Sequence, residues 1–313
     1  MWFVFALAAT AGWGFADLFY KKGTDETDKY SHLRIAVWVG LVMGVCAVCL
    51  LPLAESGTAV LSIGNLIRYS PASLSYIISM VIGYAGLRYL ELSIISPVQN
   101  ASGALSAVVM IVFFTVTGRY TDIAEEFDIL SIIGTAAICI GVVALAIAEN
   151  RAERPSDPNL RRYRYGAGAL IFPLLYCIFD TIGTAADGII LDEQTGLGLG
   201  EIDIIVLYGL TFFAVGAVAW LFLLFREKKP YNPFRDKYKG IAAGFEEAGQ
   251  VLYVYAMAAN PVLSAPLIAS YCILSVILSR VFLKEKLSRP LAAAVITVIA
   301  GIVLLGVSEG LSA

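Results

Sequence analysis

Charge is scarce in this chain: only 15% of its 313 residues are Asp, Glu, Lys or Arg, and 59% are hydrophobic. Soluble domains carry about 25% charged and roughly 45–50% apolar residues, so a soluble globular fold is excluded. Histidine is scarcer still. His32 is the sole one, which leaves no His-based zinc set and no Ser/His/Asp arrangement for acyl transfer. Enzymatic chemistry of those kinds is not expected, and neither is a bound cofactor or metal. Lys/Arg-rich runs are absent and the net charge is −3, so nucleic acid is not an expected partner. No G-x-x-x-x-G-K-[ST] motif occurs, which removes the usual ATP site. Of five cysteines, Cys46 and Cys49 form one C-x-x-C inside an apolar run; without a second pair, it reads as packing.

What the chain has in quantity is long apolar runs. A bilayer core about 30 Å thick needs roughly 20 apolar helical residues at 1.5 Å each. Ten runs meet that need: Trp2 to Tyr20, Ile35 to Ala54, Pro71 to Leu90, Pro97 to Gly118, Ile129 to Ala148, Gly166 to Ile190, Asp203 to Phe225, Gly240 to Ala259, Pro261 to Phe282 and Pro290 to Val307. They lack the apolar/polar alternation of barrel strands. The expected fold class is therefore an all-α integral membrane protein with ten transmembrane helices, and the lipid bilayer is its first partner.

Topology follows from the basic residues. Twenty of the 22 Lys and Arg lie in the odd-numbered connections, and only Arg68 and Arg119 in the even ones. The positive-inside rule then puts the odd connections in the cytoplasm and both termini outside, in a cytoplasmic (inner) membrane. Residues 149–164 form a polar connection that divides the helices five and five. A first repeat over 1–148 and a second over 165–313 would then be inverted relative to each other, as in many secondary transporters. Weak internal similarity supports this. "SPVQNASGALSAVVMIVFF" from Ser96 aligns with "NPVLSAPLIASYCILSVIL" from Asn260, and "WGFAD" ending in Asp17 aligns with "YCIFD" ending in Asp180, at offsets of 164 and 163.

The opening "AGWGFADLFYKK", the segment "ANPVLSAPLIASYCILSVILSRVFLKEKLS" with Glu285 in a short turn, and the closing "AVITVIAGIVLLGV" together resemble the drug/metabolite transporter superfamily. The likeness is to its EamA-like branch of ten-helix permeases. It covers essentially the whole chain, except that "TGRYTDIAEE" stands in the first half where the second has its Glu-containing turn. The resemblance implies ten helices, transport of a small molecule and a central cavity lined by helices one, three, six, eight and nine. Members carry amino acids, drugs, sugars, nucleotide sugars or choline.

Candidate site residues come from the acids inside the apolar runs, since burying a charge there costs about 2.5–3.5 kcal/mol on insertion scales. Glu246 and Glu247 lie near the middle of the eighth run. Gln250 and Tyr253 continue the face of Glu246. Two neighbouring carboxylates in low dielectric resist ionising together, so the pair is read as the proton-coupling and substrate-binding group. The alternative is a carboxyl that only bonds a neighbouring helix. Asp17 is either a pocket residue or half of an i, i+4 salt bridge with Lys21. Asp180, flanked by Thr181 and Thr184, is read as cavity-lining, and Asp187 as solvated near the outer surface. Gln99 and Asn100 either bind substrate or cap their helix. Trp13, Tyr84, Tyr176, Tyr253 and Tyr271 fall in the helices that the resemblance implies are cavity-lining, where aromatic faces suit an organic cation. The expected function is secondary transport of a small cationic or zwitterionic metabolite by alternating access. The rivals are a uniporter for neutral sugars or nucleosides and a non-transporting membrane sensor or assembly protein; a homodimer stays open.

Overall fold

A computed structural model describes residues 1–90, 92–122, 126–152, 166–228, 231–283 and 289–312. Among these residues the chain is helical, with no strand. In chain order the helices are α1 (Trp2–Gly23), α2 (Ser31–Leu50), α3 (Ile63–Gly86), α4 (Leu92–Asn100), α5 (Ser102–Val116), α6 (Ile129–Ala152), α7 (Ile171–Leu191), α8 (Glu201–Glu227), α9 (Lys237–Ala259), α10 (Pro261–Ala269), α11 (Tyr271–Leu283) and α12 (Arg289–Ser312). Local chemistry sets several of their starts. Ser62 accepts from the Asn65 amide to cap α3. Asn260 accepts from the Leu263 amide to cap α10, and Pro261 follows it at the first helical position, where its missing N–H costs nothing.

Among the described residues, seven helical segments are long and apolar enough to cross a membrane. Three of the expected runs fall outside that set although all are helical, two for their composition and one for the length of its described apolar stretch. The helix α3 carries Asn65, Arg68 and several serines, α9 carries Lys237, Lys239, Glu246 and Glu247, and in α6 the described apolar stretch is Ile129–Leu145. The fourth and ninth runs are each broken in two, at Ala101 and at Ser270. Pro97 and Pro266 lie just before the breaks and cannot donate to the carbonyl four residues back. The Ser270 amide tightens the second break by bonding the carbonyls of Pro266 and Leu267, both at 3.2 Å. Glu285 and residues 153–165 of the central connection lie outside the described residues.

Packing pairs each early helix with a late one. The longest contacts run between α1 and α9, α2 and α8, α3 and α7, α5 and α10, and α6 and α12. Glycines let two of these pairs approach backbone to backbone: a Cβ on Gly40 would sit 2.8 Å from the Gly216 Cα, and one on Gly134 would sit 2.9 Å from the Gly301 carbonyl oxygen. Close small-residue crossings of this kind are how helices associate where lipid removes the hydrophobic drive between them. The outer faces are apolar, with Val48, Ile67, Val108, Ile140 and Val218 all exposed. A monomer in water rarely presents such a surface, whereas lipid solvates it.

Candidate functional site

A cavity opens at the centre of these pairs, next to both helix breaks, with an empty volume of about 770 Å³ including its mouth. Trp13, Asp17 and Tyr20 of α1 line it, with Tyr76 and Tyr84 of α3, Gln99 and Asn100 of α4, Ser102 of α5, and Tyr176, Asp180 and Thr184 of α7. Tyr208 of α8, Glu246, Gln250 and Tyr253 of α9 and Tyr271 of α11 complete the wall.

Eleven of the twelve residues singled out from the sequence therefore share one space. Glu247 does not. Successive helical residues point about 100° apart, so with Glu246 aimed inward its neighbour faces α2, beside Cys46. The paired-carboxylate reading gives way to a single cavity glutamate. Asp187 departs from expectation too. It sits about one turn from the end of α7, yet it is 0% exposed, because α3 and α9 cover that face of the helix.

The three cavity acids are held differently. Ser96 and Ser275 donate hydroxyls to Asp17 Oδ2 at 2.6 and 2.8 Å. This replaces the salt bridge with Lys21, whose Nζ instead donates to the carbonyls of Leu87 and Leu90 at the end of α3. Ser102 donates to Asp180 Oδ2 at 2.5 Å. Asp17 of α1 is thus tied to α4 and α11, and Asp180 of α7 to α5. Glu246 has its main-chain oxygen bonded by the Trp13 indole N–H at 3.2 Å, while its carboxyl, on a residue 7% exposed, faces the cavity. Asn100 donates to the Ser96 carbonyl at 2.8 Å, so one of its amide hydrogens is used within α4.

Aromatic rings form much of the remaining wall. Trp13 lies against Tyr253 at 5.2 Å between ring centroids and against Tyr271 at 5.7 Å, nearly edge-on. Tyr20 and Tyr84 pack at 4.9 Å. Sequence reasoning missed Tyr20, Tyr76 and Tyr208. The signal for Tyr76 was available, because Tyr69, Tyr76, Met80 and Tyr84 recur at helical spacing on one buried face of α3. Two side chains reach the cavity without hydrogen-bond partners: Gln250, 1% exposed, leaves both amide atoms unused, and Gln99 leaves its Nε2 unused. Buried polar groups are rarely left that way. Among the described residues that line it there is no Lys, Arg or His, so the space collects carboxyl groups, π faces and free amide groups.

No protein-family model matches this chain, and no curated protein matches it. A solved crystal structure matches over its whole length, covering 100% of this chain and 99% of the other with a TM-score of 0.63 and 14% identity. At that identity the likeness shows a shared fold and nothing further.

Proposed function

We propose that this protein is a ten-helix secondary transporter in which two inverted five-helix halves move around the central cavity and carry a small organic cation or zwitterion. The observation that carries this reading is the lining: Asp17, Asp180 and Glu246 converge on one space beside Trp13, Tyr253 and Tyr271, with no basic side chain among them. Intramembrane acids that face a bundle interior mark substrate or ion pathways. Aromatic faces attract a desolvated ammonium group by about 0.5–2 kcal/mol each.

The fold supports the transport cycle. Helices one to five pair with eight, seven, six, nine and ten, a pattern that maps onto itself when the two halves are exchanged. Broken helices at Ala101 and Ser270 flank the cavity, as discontinuous helices do at transporter binding sites. Asp17 and Asp180 occupy matching places in the two halves, and the Ser275–Asp17 and Ser102–Asp180 bonds cross between them. Proton and substrate compete at Glu246, with Asp17 and Asp180 assisting; the protein runs on an ion gradient.

The test is thermal stability of the purified protein against choline-like cations, amino acids, polyamines, sugars and nucleosides, at one acidic and one alkaline pH. A bound ligand stabilises by RT ln(1 + [L]/Kd), so weak binding shows at high concentration. Stabilisation confined to cationic compounds and stronger at alkaline pH is expected. Equal shifts from neutral sugars or nucleosides, indifferent to pH, would replace the cation reading with that of a uniporter.

A further inference from the structure

Asp187 has no place in the cavity wall, yet it is one of the most deeply buried acids in the protein. It lies on the same face of α7 as Asp180 and Thr184, further towards the end of the helix. The carboxyl is 0% exposed, and neither of its oxygens has a partner at hydrogen-bond geometry. Tyr69 from α3 and Tyr253 from α9 turn their hydroxyls towards it. The Tyr69 hydroxyl, on a residue 1% exposed, is unpartnered as well. Three polar atoms therefore sit unused in one spot, all of them able to accept a hydrogen bond or ligate a cation.

Among the described residues, the surroundings hold no compensating charge. From α3 the spot is faced by Tyr69 and Tyr76, from α8 by Tyr208, from α9 by Tyr253, and along α7 by Asp180. Beside the neighbouring Gly188 lie Met110 of α5 and Pro261 of α10. None of these is basic. A buried carboxylate met only by tyrosine hydroxyls, with no positive charge beside it, is costly to hold, so a small cation seated among these oxygens is the economical account. The spot also communicates with the cavity. Tyr253 lines the cavity and its hydroxyl contacts that of Tyr76, which in turn bonds the Thr184 hydroxyl at 3.0 Å.

We infer that Asp187, Tyr69 and Tyr253 form a seat for a small monovalent cation, a proton or a sodium ion, distinct from the substrate cavity and joined to it through the Tyr253–Tyr76 hydroxyl contact. Occupancy of the seat stands by itself. Its part in coupling rests on the transporter reading above: a cation bound at Asp187 holds Tyr253 in one arrangement, and Tyr253 is also cavity wall.

The deciding measurement is infrared difference spectroscopy on the full chain purified in detergent, acid minus alkaline in potassium buffer and sodium minus potassium at fixed pH. Asp187→Asn should delete a carboxylic C=O component from the first spectrum if the cation is a proton, or a carboxylate component from the second if it is sodium. Tyr69→Phe keeps the acid and should shift the frequency and midpoint of the same component, which covers the case of an Asp187→Asn protein that does not fold. Spectra unchanged by Asp187→Asn, or by Tyr69→Phe where only that variant folds, overturn the seat. Choline-loaded proteoliposomes then separate the two readings. With coupling intact, Asp187→Asn retains choline exchange and loses accumulation driven by the ion gradient, whereas undiminished accumulation overturns coupling through Asp187. A wild-type protein that gives the infrared signal but moves neither choline nor any other panel compound sinks the transporter reading and leaves the seat.

Discussion

At the loop end of the bundle Arg34 grips two carboxylates, Asp28 through Nε and Glu227 through a terminal nitrogen, each at 2.7 Å, and Lys239 meets Asp236 at 3.0 Å. Inside the bundle Asp17 and Asp180 are held by serine hydroxyls, and the Glu246 carboxyl faces open space. The same side-chain chemistry serves two ends. Where acids meet bases within the protein, the pair fastens the loop before α2 to the end of α8, and nothing is left over to bind a ligand. Where acids gather without bases, in the setting that penalises them most, the proposed transport reading has the positive charge come from outside the chain.

The sharpest way to break this contrast is to neutralise each glutamate of the adjacent pair in turn. Glu246→Gln keeps the shape and removes the charge, and losing one partner of a desolvated charge pair costs about 2–5 kcal/mol. Binding of choline or tetramethylammonium should therefore weaken by at least about 30-fold, read by calorimetric titration. Glu247→Gln, one residue on and outside the cavity, should change the same affinity by less than about threefold, since it removes no contact with the ligand. Equal losses from both variants would restore the paired-carboxylate reading.

That difference also marks how far the sequence could be read. Helix positions were legible because a bilayer demands runs of a set length, and acids in those runs stood out against an apolar background. Position along a helix was harder to turn into depth and direction. Glu246 and Glu247 look equivalent as letters, yet one turn angle separates a cavity wall from the α2 interface. Asp187 was misplaced by counting from the end of its apolar run, when the deciding fact was that α3 and α9 cover it. Tyr76 and Tyr208 were lost among tyrosines that could as well have been interfacial belt residues.

From the other side, the contrast sharpens if the paired region can be damaged without touching the cavity. Arg34→Gln leaves Asp28 and Glu227 unbridged at the loop end, where all three groups are partly exposed. Water screens such pairs, so the loss of stability should be about 1 kcal/mol, measured by thermal unfolding in detergent. Cation affinity should stay as it was. A large fall in affinity from this substitution would mean that the loop end and the cavity are energetically one unit.

Asp128 gives the smallest and most specific prediction, because it is an acid outside the membrane-spanning helices that is held as Asp17 is held, by hydroxyls. Ser308 of α12 and Ser131 donate to its Oδ2, and the amides of Leu130 and Ser131 bond its Oδ1 at 2.8 and 3.1 Å. These donors favour the charged form and pull its pKa down from 3.8 to about 2, with the Ser308 bond the largest cause. A depressed carboxyl contributes stability that is fully present above its unfolded value near 4 and is lost as pH falls towards 2. The residue is exposed, so solvent screening holds the effect under about 1 kcal/mol. Ser308→Ala should therefore lower thermal stability slightly at neutral pH, with the difference shrinking as pH falls through 2 and vanishing below it, where the protonated acid gains little from the hydroxyl in either protein. If the variant and the parent instead differ by the same amount at every pH, Ser308 acts by packing α12 against α6, and the acid beside it contributes nothing to the joint.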